Sequence, residues 1–330
     1  MSAEFRSASD ASRHETGVPM AIRLKEVYIA VMSYNMGPLL RNCVSSLERH
    51  AASFDVGIYD DNSSDTSTQE ILNYVASRHR VVISNGQEAQ ADSKTGGLWT
   101  NMNRAVADAL SGAYKYILFI QDDMQLVRPI DDACLQEYGA IFANIPSVAQ
   151  IRVHFMKHPF VHPGHVPSQW IPSAVAPCYV SKRYEFGLLA TGIVRLDYLK
   201  ATGFKFNSGE LNNAQAAASL GWISVFPINP IAMFLPWPPT ITDRLPVARR
   251  TVQLVTDYLF RVGFHPFRDM APAEVYELMN RPKEELPYAE RYLALAGKES
   301  HIRPWWYERS YKFLIKAFRQ RGKGMGMGAL

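Results

Sequence analysis

Two adjacent carboxylates, Asp122 and Asp123, come just after the apolar run of residues 114–120. A carboxylate at the end of a buried strand is costly unless it reaches solvent or binds something, and a hard divalent cation would satisfy it. Mg²⁺ or Mn²⁺ takes only one or two protein carboxylates together with phosphate oxygens, so a short acidic pair is sufficient. Aspartate is also common in turns. The pair alone therefore fits either a cation site or an ordinary turn.

Two other polar clusters follow apolar runs in the same way. Residues 27–32 end in Ser33, Tyr34 and Asn35, and residues 54–59 end in the polar stretch 60–66. Apolar residues at helical spacing follow both clusters, residues 81–84 give a third strand, 101–110 a helix and 114–120 a fourth strand. This alternation predicts an α/β fold with a mostly parallel sheet. Ligands bind beyond the carboxyl ends of such strands, so we expect the three clusters to converge.

The motifs that are missing narrow the function further. No G-x-G-x-x-G and no G-x-x-x-x-G-K-[ST] follows any of the strands, so the usual dinucleotide and P-loop sites lack their glycines. A bound phosphate would have to be neutralised in another way, and the acidic residues indicate a metal. A sugar-nucleotide nucleotidyltransferase would need a glycine-rich basic loop after its first strand, and residues 32–40 do not supply one.

Composition and charge exclude several classes of protein. The 330 residues are 47% hydrophobic, which is enough for one main domain and a smaller extension. The formal net charge of +4 is small and excludes a protein built to coat nucleic acid. The three cysteines lack paired spacing, which favours a reducing cytoplasmic setting. Five prolines interrupt the apolar stretch 222–239, so we predict no transmembrane segment, and the polar residues 1–22 are predicted to be a disordered lead-in.

Several ordered segments resemble glycosyltransferase family 2. VYIAVMSYNMGPLLRNCVSSL is similar to that family's strand, T/S-Y-N and helix, and GIYDDNSSDTS is similar to its V-D-D-x-S-x-D segment. GLWTNMNRAV resembles its G-L-x-x-x-x-N-x-G helix, and YILFIQDDMQLV stands in place of its D-x-D strand. The resemblance spans about residues 26–236. It implies a Rossmann-like GT-A catalytic domain, assigned to residues 23–245, with a helical C-terminal extension at 246–330.

The resemblance also implies roles for individual residues. Asp61 would accept a hydrogen bond from the imide N–H of uracil or thymine, which favours UDP or dTDP over purine donors. Asp123 would bind Mn²⁺ or Mg²⁺, although Gln121 stands where the family usually has its first aspartate. The other residues expected to bind the nucleotide sugar are Ser33, Tyr34, Asn35, Asn103, Arg104 and Asp122. An exposed helix face is an equal explanation for Asn103 and Arg104.

A general base is needed to take the proton of the acceptor hydroxyl as its oxygen attacks the anomeric carbon. Residues 192–195 and 203–204 resemble the family's G-x-x-x-R and G-G-F segments, and Gly221 with Trp222 resembles its G-[YW]. Counting back from these positions places Glu210 where the family usually has an aspartate base. The alternative is an ordinary glutamate at a helix N-terminus, where the helix dipole favours it.

A histidine-rich stretch and a basic helix are candidates for contact with the acceptor. We interpret the proline-interrupted stretch with His154, His158, His162 and His165 as an acceptor-side loop with Trp170 rather than a zinc site, although one histidine could join the catalytic metal. Residues 304–323 combine an apolar face with a basic face. Such a helix either lies in an anionic membrane interface, which would suit a lipid-linked acceptor, or docks its apolar stripe on the catalytic domain.

The resemblance therefore implies an inverting, metal-dependent glycosyltransferase. It would move a sugar from a UDP- or dTDP-sugar to a hydroxyl of a saccharide or lipid-linked saccharide, without nucleic acid as a partner. The expected location is the cytoplasm, including the inner face of the membrane. The alternative is a non-catalytic protein that binds nucleotide sugars, suggested by Gln121 and by the single acid at position 210.

Overall fold

The computed structural model describes residues 22–84, 97–159, 166–181, 188–235, 251 and 265–297. The described strands are β1 (Val27–Ser33), β2 (Asp55–Asp60), β3 (Arg80–Ile83), β4 (Tyr116–Gln121), β5 (Met124–Leu126), β6 (Val148–Ile151), β7 (Trp170–Pro172), β8 (Cys178–Ser181), β9 (Gly192–Arg195), β10 (Ile223–Pro227) and β11 (Ala232–Phe234). The described α-helices are α1 (Gly37–His50), α2 (Thr66–Val75), α3 (Leu98–Ser111), α4 (Asp132–Asn144), α5 (Leu196–Thr202), α6 (Glu210–Ser219), α7 (Pro272–Asn280) and α8 (Ala289–Tyr292).

One large sheet organises the described chain. Its strand order is β3-β2-β1-β4-β9-β6-β10-β8-β7. β1 runs parallel to β2 and β4, β2 to β3, and β6 to β10, whereas β9 runs antiparallel to both β4 and β6. The predicted α/β fold with a mostly parallel sheet is therefore confirmed. We call the edge where β1, β2, β4 and β6 end the C-terminal edge.

Helices cover both faces of this sheet, as parallel strands require. The whole of β1 is buried, and its side chains alternate between the two faces. Val27, Ile29 and Val31 join the core cluster that contains residues of α1, α2 and α4. The side chains on the other face join the cluster that contains residues of α3, α5 and α6; they are Tyr28, Ala30 and Met32.

The starts of α1 and α2 approach each other closely above the C-terminal edge. Pro38 occupies the first turn of α1, where its missing N–H leaves no helical bond unmade. A Cβ added at Gly37 would lie 2.1 Å from Ser67 Oγ at the start of α2, so only glycine fits there. This contact brings the loops that follow β1 and β2 together.

Residues 265–297 pack against the sheet domain. Phe267, Leu278 and Tyr292 share a core cluster with Met36 and Leu39 of the loop and helix after β1. β5 and β11 form a separate antiparallel ribbon. The described part of the predicted extension thus shares a hydrophobic core with the residues that follow β1.

Some predictions concern parts of the chain outside the described residues. These are the lead-in, of which only residue 22 is described, the junction at 246, His162, His165 and the basic helix of residues 304–323. In the part of the chain that the structure describes, no helix combines the length and apolarity needed to cross a bilayer. The three cysteines are buried and form no disulfide with one another.

Candidate active site

The sheet ladder brings the predicted polar clusters to one edge. The backbone N–H of Asp61, just after β2, donates to the carbonyl of Ser33 at 3.0 Å. On the other side of β1, the N–H of Asp122 donates to the carbonyl of Met32 at 3.0 Å. The ends of β2, β1 and β4 are therefore level with one another, and the clusters after them converge as the sequence predicts.

The acidic pair after β4 is held against the loop that follows β1. The backbone N–H of Tyr34 donates to Asp122 Oδ2 at 3.0 Å. Burial, followed by the charges of Asp123 and Asp60, raises the pKa of Asp122 well above its ordinary value, although the Tyr34 bond opposes the shift. The backbone of Asp123 is fixed by the N–H of Leu235, which donates to its carbonyl at 2.7 Å. The site thus concentrates negative charge that a cation would offset.

This donor set fits Mg²⁺ or Mn²⁺ held by one or two carboxylates. Asp122 and Asp123 supply hard oxygen ligands, and such ions complete their shells with phosphate oxygens and water. Among residues 22–84, 97–159, 166–181, 188–235 and 265–297, no group of three or more histidine, cysteine or acidic side chains is arranged to hold a metal. Gln121 ends β4 and adds no carboxylate.

Asn35 ties the loops after β1 and β2 together. Its backbone is left-handed, with φ 52°, a conformation that asparagine tolerates better than most residues. Its N–H donates to Ser63 Oγ at 2.8 Å, and its side-chain oxygen accepts from the N–H of Ser64 at 2.8 Å and of Asp65 at 3.2 Å. These bonds fix the loops that carry Tyr34 and Asp61.

Asp61 lies at the amino end of α3. The N–H of Gly97, the residue that caps this helix, donates to Asp61 Oδ2 at 2.6 Å. A Cβ added at Gly97 would lie 2.1 Å from Asp61 Oδ1, so the close approach requires glycine. Nearby, Ser33 is only 4% exposed, whereas the ring of Tyr34 is 37% exposed and accessible for stacking.

The two predicted donor residues on α3 have different surroundings. Arg104 Nη1 donates to Ser84 Oγ at 3.2 Å, just beyond the end of β3. Asn103 lies on another part of the helix surface: its amide donates to the carbonyl of Phe206 and accepts from the N–H of Phe206, both at 2.9 Å. Arg104 is thus placed near the donor-side strand ends, and Asn103 is bound to the loop before α6.

Glu210 begins α6 and is exposed. It acts electrostatically on Arg152, a guanidinium that directly follows β6: burial lowers the pKa of Arg152 to about 9, and the charge of Glu210 opposes that shift. In the sheet, Ile151 is level with Ile193, and Ile193 with Leu118. β6 therefore ends level with Leu118, three residues before the end of β4 at Gln121. Arg152 follows β6, and Glu210 lies close enough to act on its charge.

Sequence reasoning missed Arg152, a buried cation beside the predicted base Glu210. Its side chain is only 4% exposed, its Nε donates to Ser224 Oγ at 3.2 Å, and its guanidinium lies 5.1 Å from the ring centre of Phe226 and 5.8 Å from that of Trp170. The signal in the sequence is a single cation within the otherwise uncharged run of residues 148–156 that continues β6. Arginine is almost never fully buried unless it is paired.

The histidines after β6 separate from one another. His154 is buried, with its Nδ1 2.9 Å from the carbonyl of Phe155 and its ring edge-on to Phe226 and Phe234. His158 is exposed, and its N–H donates to the carboxylate of Glu290. Of these two described histidines, His154 contacts the ring of Phe226, which also lies against Arg152.

No protein-family model matches the chain, and no curated protein matches its sequence significantly. The chain is similar to the solved structure of S. aureus TarS 1–349, at 16% identity and a TM-score of 0.43, over 77% of this chain and 69% of that one. It is also similar to S. aureus TarS at 15% identity and a TM-score of 0.46, over 84% of this chain and 44% of that one. A mannosyltransferase, PcManGT from Pyrobaculum calidifontis, solved with GDP-Man and Mn²⁺, is similar at 13% identity and a TM-score of 0.42, over 92% of this chain and 76% of that one.

Proposed function

We propose that this chain is an inverting, metal-dependent glycosyltransferase. It would move a sugar from a UDP- or dTDP-sugar to a hydroxyl of a saccharide or lipid-linked saccharide. The observation that carries the proposal is that Asp61 after β2 and Asp122 after β4 are both bonded through their backbones to the end of β1 at the C-terminal edge. Glu210, which acts on the charge of Arg152 after β6, is proposed as the base of the same site. Parallel α/β sheets bind their ligands at this edge.

The donor would bind at the ends of β1, β2 and β4. Asp61 would accept the imide N–H of the base, since a carboxylate can accept several hydrogen bonds and the Gly97 contact can share it. The exposed ring of Tyr34 would stack on the base, with Ser33 beside it. Asp123 would hold Mn²⁺ or Mg²⁺, with Asp122 toward the ribose or the sugar. A bound cation supplies charge stabilisation to the departing diphosphate.

The acceptor would approach from the side of Glu210. The Glu210 carboxylate takes the proton of the acceptor hydroxyl as that oxygen forms its bond to the anomeric carbon, and the bond from that carbon to the diphosphate breaks. The nucleoside diphosphate leaves with the bonding electron pair. The charge of Glu210 acts in turn on the buried guanidinium of Arg152, which directly follows β6.

A second candidate is a protein that binds nucleotide sugars without transferring them. Gln121 and the single acid at position 210 favour it, because both reduce the acidic groups available for chemistry. The two candidates differ in turnover and agree in binding.

Turnover of UDP- and dTDP-sugars with Mn²⁺ tests the proposal. We expect Asp123→Ala and Glu210→Gln each to lower the rate by at least about 100-fold, because general bases and charge-stabilising groups commonly contribute that much. Glu277→Gln, at an exposed position on α7, is the matched control and should leave the rate unchanged. Donor hydrolysis that persists unaltered in Asp123→Ala and Glu210→Gln would rule out both roles.

A thermal-shift panel of UDP, dTDP and GDP, each with and without Mn²⁺, tests donor binding separately. A ligand at about 100 times its Kd stabilises the native state by about 2.7 kcal/mol. We expect a Mn²⁺-dependent response to UDP or dTDP. Stabilisation by GDP alone would contradict the role assigned to Asp61, and binding without any turnover would favour the second candidate.

A further inference from the structure

Asn103 of α3 forms two hydrogen bonds with the loop that leads into α6. Asn103 Nδ2 donates to the carbonyl of Phe206 at 2.9 Å, and Asn103 Oδ1 accepts from the N–H of the same residue at 2.9 Å. The ring of Phe206 is 3% exposed and stacks on Trp99 of α3, with ring centres 6.4 Å apart. One side chain thus satisfies both peptide groups of a residue four positions before Glu210.

Asn213 of α6 forms hydrogen bonds with the same loop. It is fully buried; its Oδ1 accepts from the N–H of Asn207 at 2.7 Å, and its Nδ2 donates to the carbonyls of Asn207 at 2.7 Å and Gly209 at 3.0 Å. Gly209 has φ 95°, a conformation that favours glycine, and it immediately precedes Glu210. The backbone before Glu210 is therefore held at Phe206, Asn207 and Gly209.

α3 connects the loop before α6 to Asp61, the residue proposed to bind the base of the donor. Its capping residue Gly97 donates to Asp61 at 2.6 Å, and Asn103 lies six residues further along the helix, an axial distance of about 9 Å. A helix is stiff over this length, so the contacts of Gly97 and Asn103 keep a fixed separation. The position of Glu210 is thereby set relative to Asp61.

We propose that Asn103 is a positioning residue that places Glu210 relative to the donor by fixing the backbone of Phe206 to α3. This inference rests on the proposed function in giving Glu210 the role of base. It assigns the amide of Asn103 to the loop instead of to the donor. A displacement of the base by about 1 Å can lower a rate about 100-fold.

Kinetics of Asn103→Ala and Asn103→Asp test the proposal. Asn103→Asp keeps the size of the side chain but replaces the amide donor with an oxygen that faces the Phe206 carbonyl. We expect both variants to lower kcat by about 10- to 100-fold while the Kd for UDP with Mn²⁺ changes less than about twofold. Asn73→Ala, at an exposed position on α2, is the matched control and should change neither.

A double-mutant cycle shows whether Asn103 acts through Glu210. In the Glu210→Gln background, Asn103→Ala should lower the remaining rate by less than about twofold. A similar loss in both backgrounds would overturn the proposal, because Asn103 would then act independently of the base. A loss of UDP affinity as large as the loss of kcat would also overturn it, since it would mean direct contact with the donor.

Hydrogen exchange tests the hydrogen bonds between Asn103 and Phe206 independently of catalysis. In Asn103→Ala and Asn103→Asp, the amide of Phe206 should exchange at least about tenfold faster than in wild type, whereas Asn73→Ala should not alter it. Unchanged exchange at Phe206 in both variants would overturn the proposal. If wild type transfers no sugar but the Asn103 variants still exchange faster at Phe206, the proposed function is refuted. The hydrogen bonds between Asn103 and Phe206 are then still established.

Discussion

Replacing Gly97 with alanine displaces the Asp61 carboxylate without removing it. The added Cβ would lie 2.1 Å from Asp61 Oδ1, while the Gly97 N–H holds Oδ2 of the same group at 2.6 Å. The Asp61 carboxylate must move by about 1 Å to reach ordinary van der Waals distance. The backbone of Gly97 has φ −80°, which alanine adopts without strain, so the displacement is the main consequence.

The expected loss is that of one hydrogen bond to a charged group. Such a bond contributes about 1.5–3 kcal/mol, so the Kd for UDP should rise about 10- to 100-fold in Gly97→Ala. Isothermal titration calorimetry with UDP at saturating Mn²⁺ measures this directly. Gly297→Ala is the control, because a Cβ there meets nothing within 4 Å.

The background variant Asp61→Ala makes the test specific. With the carboxylate removed, Gly97→Ala should have no further effect on UDP affinity, because the group that the methyl displaces is absent. Wild-type affinity in Gly97→Ala would refute the reasoning that Asp61 reads the base from its present position. An equal loss in both backgrounds would show that the methyl acts on something other than Asp61.

Two further predictions concern residues 265–297. Gln125→Ala should destabilise the fold by about 2–4 kcal/mol in urea unfolding, because it leaves the buried N–H and carbonyl of Phe267 without their partner; an unchanged midpoint would contradict this. Contacts from Arg49 and His50 lower the pKa of Asp269 although burial alone would raise it. Its stabilising contribution is therefore present at neutral pH and lost as the pH falls through the lowered value. Asp269→Asn should cost less than about 1 kcal/mol at pH 7, since the group is partly exposed, and the difference should shrink below about pH 4; a difference that grows in acid would contradict this.

Local sequence patterns were sufficient for the elements that position the donor side. The apolar runs at residues 27–32 and 114–120 predict β1 and β4, which the structure places at Val27–Ser33 and Tyr116–Gln121. They are predictable because parallel strands buried on both faces must be apolar along their whole length. Convergence of the polar clusters follows from the same topology.

The surroundings of Glu210 depend on tertiary contacts that cannot be read from any local sequence pattern. Asn103 and Phe206 are 103 residues apart, so their paired hydrogen bonds follow only from the tertiary fold. Arg152 is visible in the sequence as an unusual charge, but its relation to Glu210 requires β6 and α6 to meet at one edge. The roles assigned to Ser33, Asp61, Asp123 and the other candidate residues stay predictions for the experiments above.

In the proposed donor site, Asp123 after β4 holds the cation of the diphosphate while Asp61 after β2 binds the base of the same nucleotide. Anomalous diffraction at the manganese edge, from crystals grown with UDP and Mn²⁺, tests it most directly. We expect one strong peak about 2.0–2.2 Å from a carboxylate oxygen of Asp123, with the diphosphate on the metal and the uracil against Asp61. A manganese peak away from Asp123, or UDP bound at any other edge of the sheet, would contradict it.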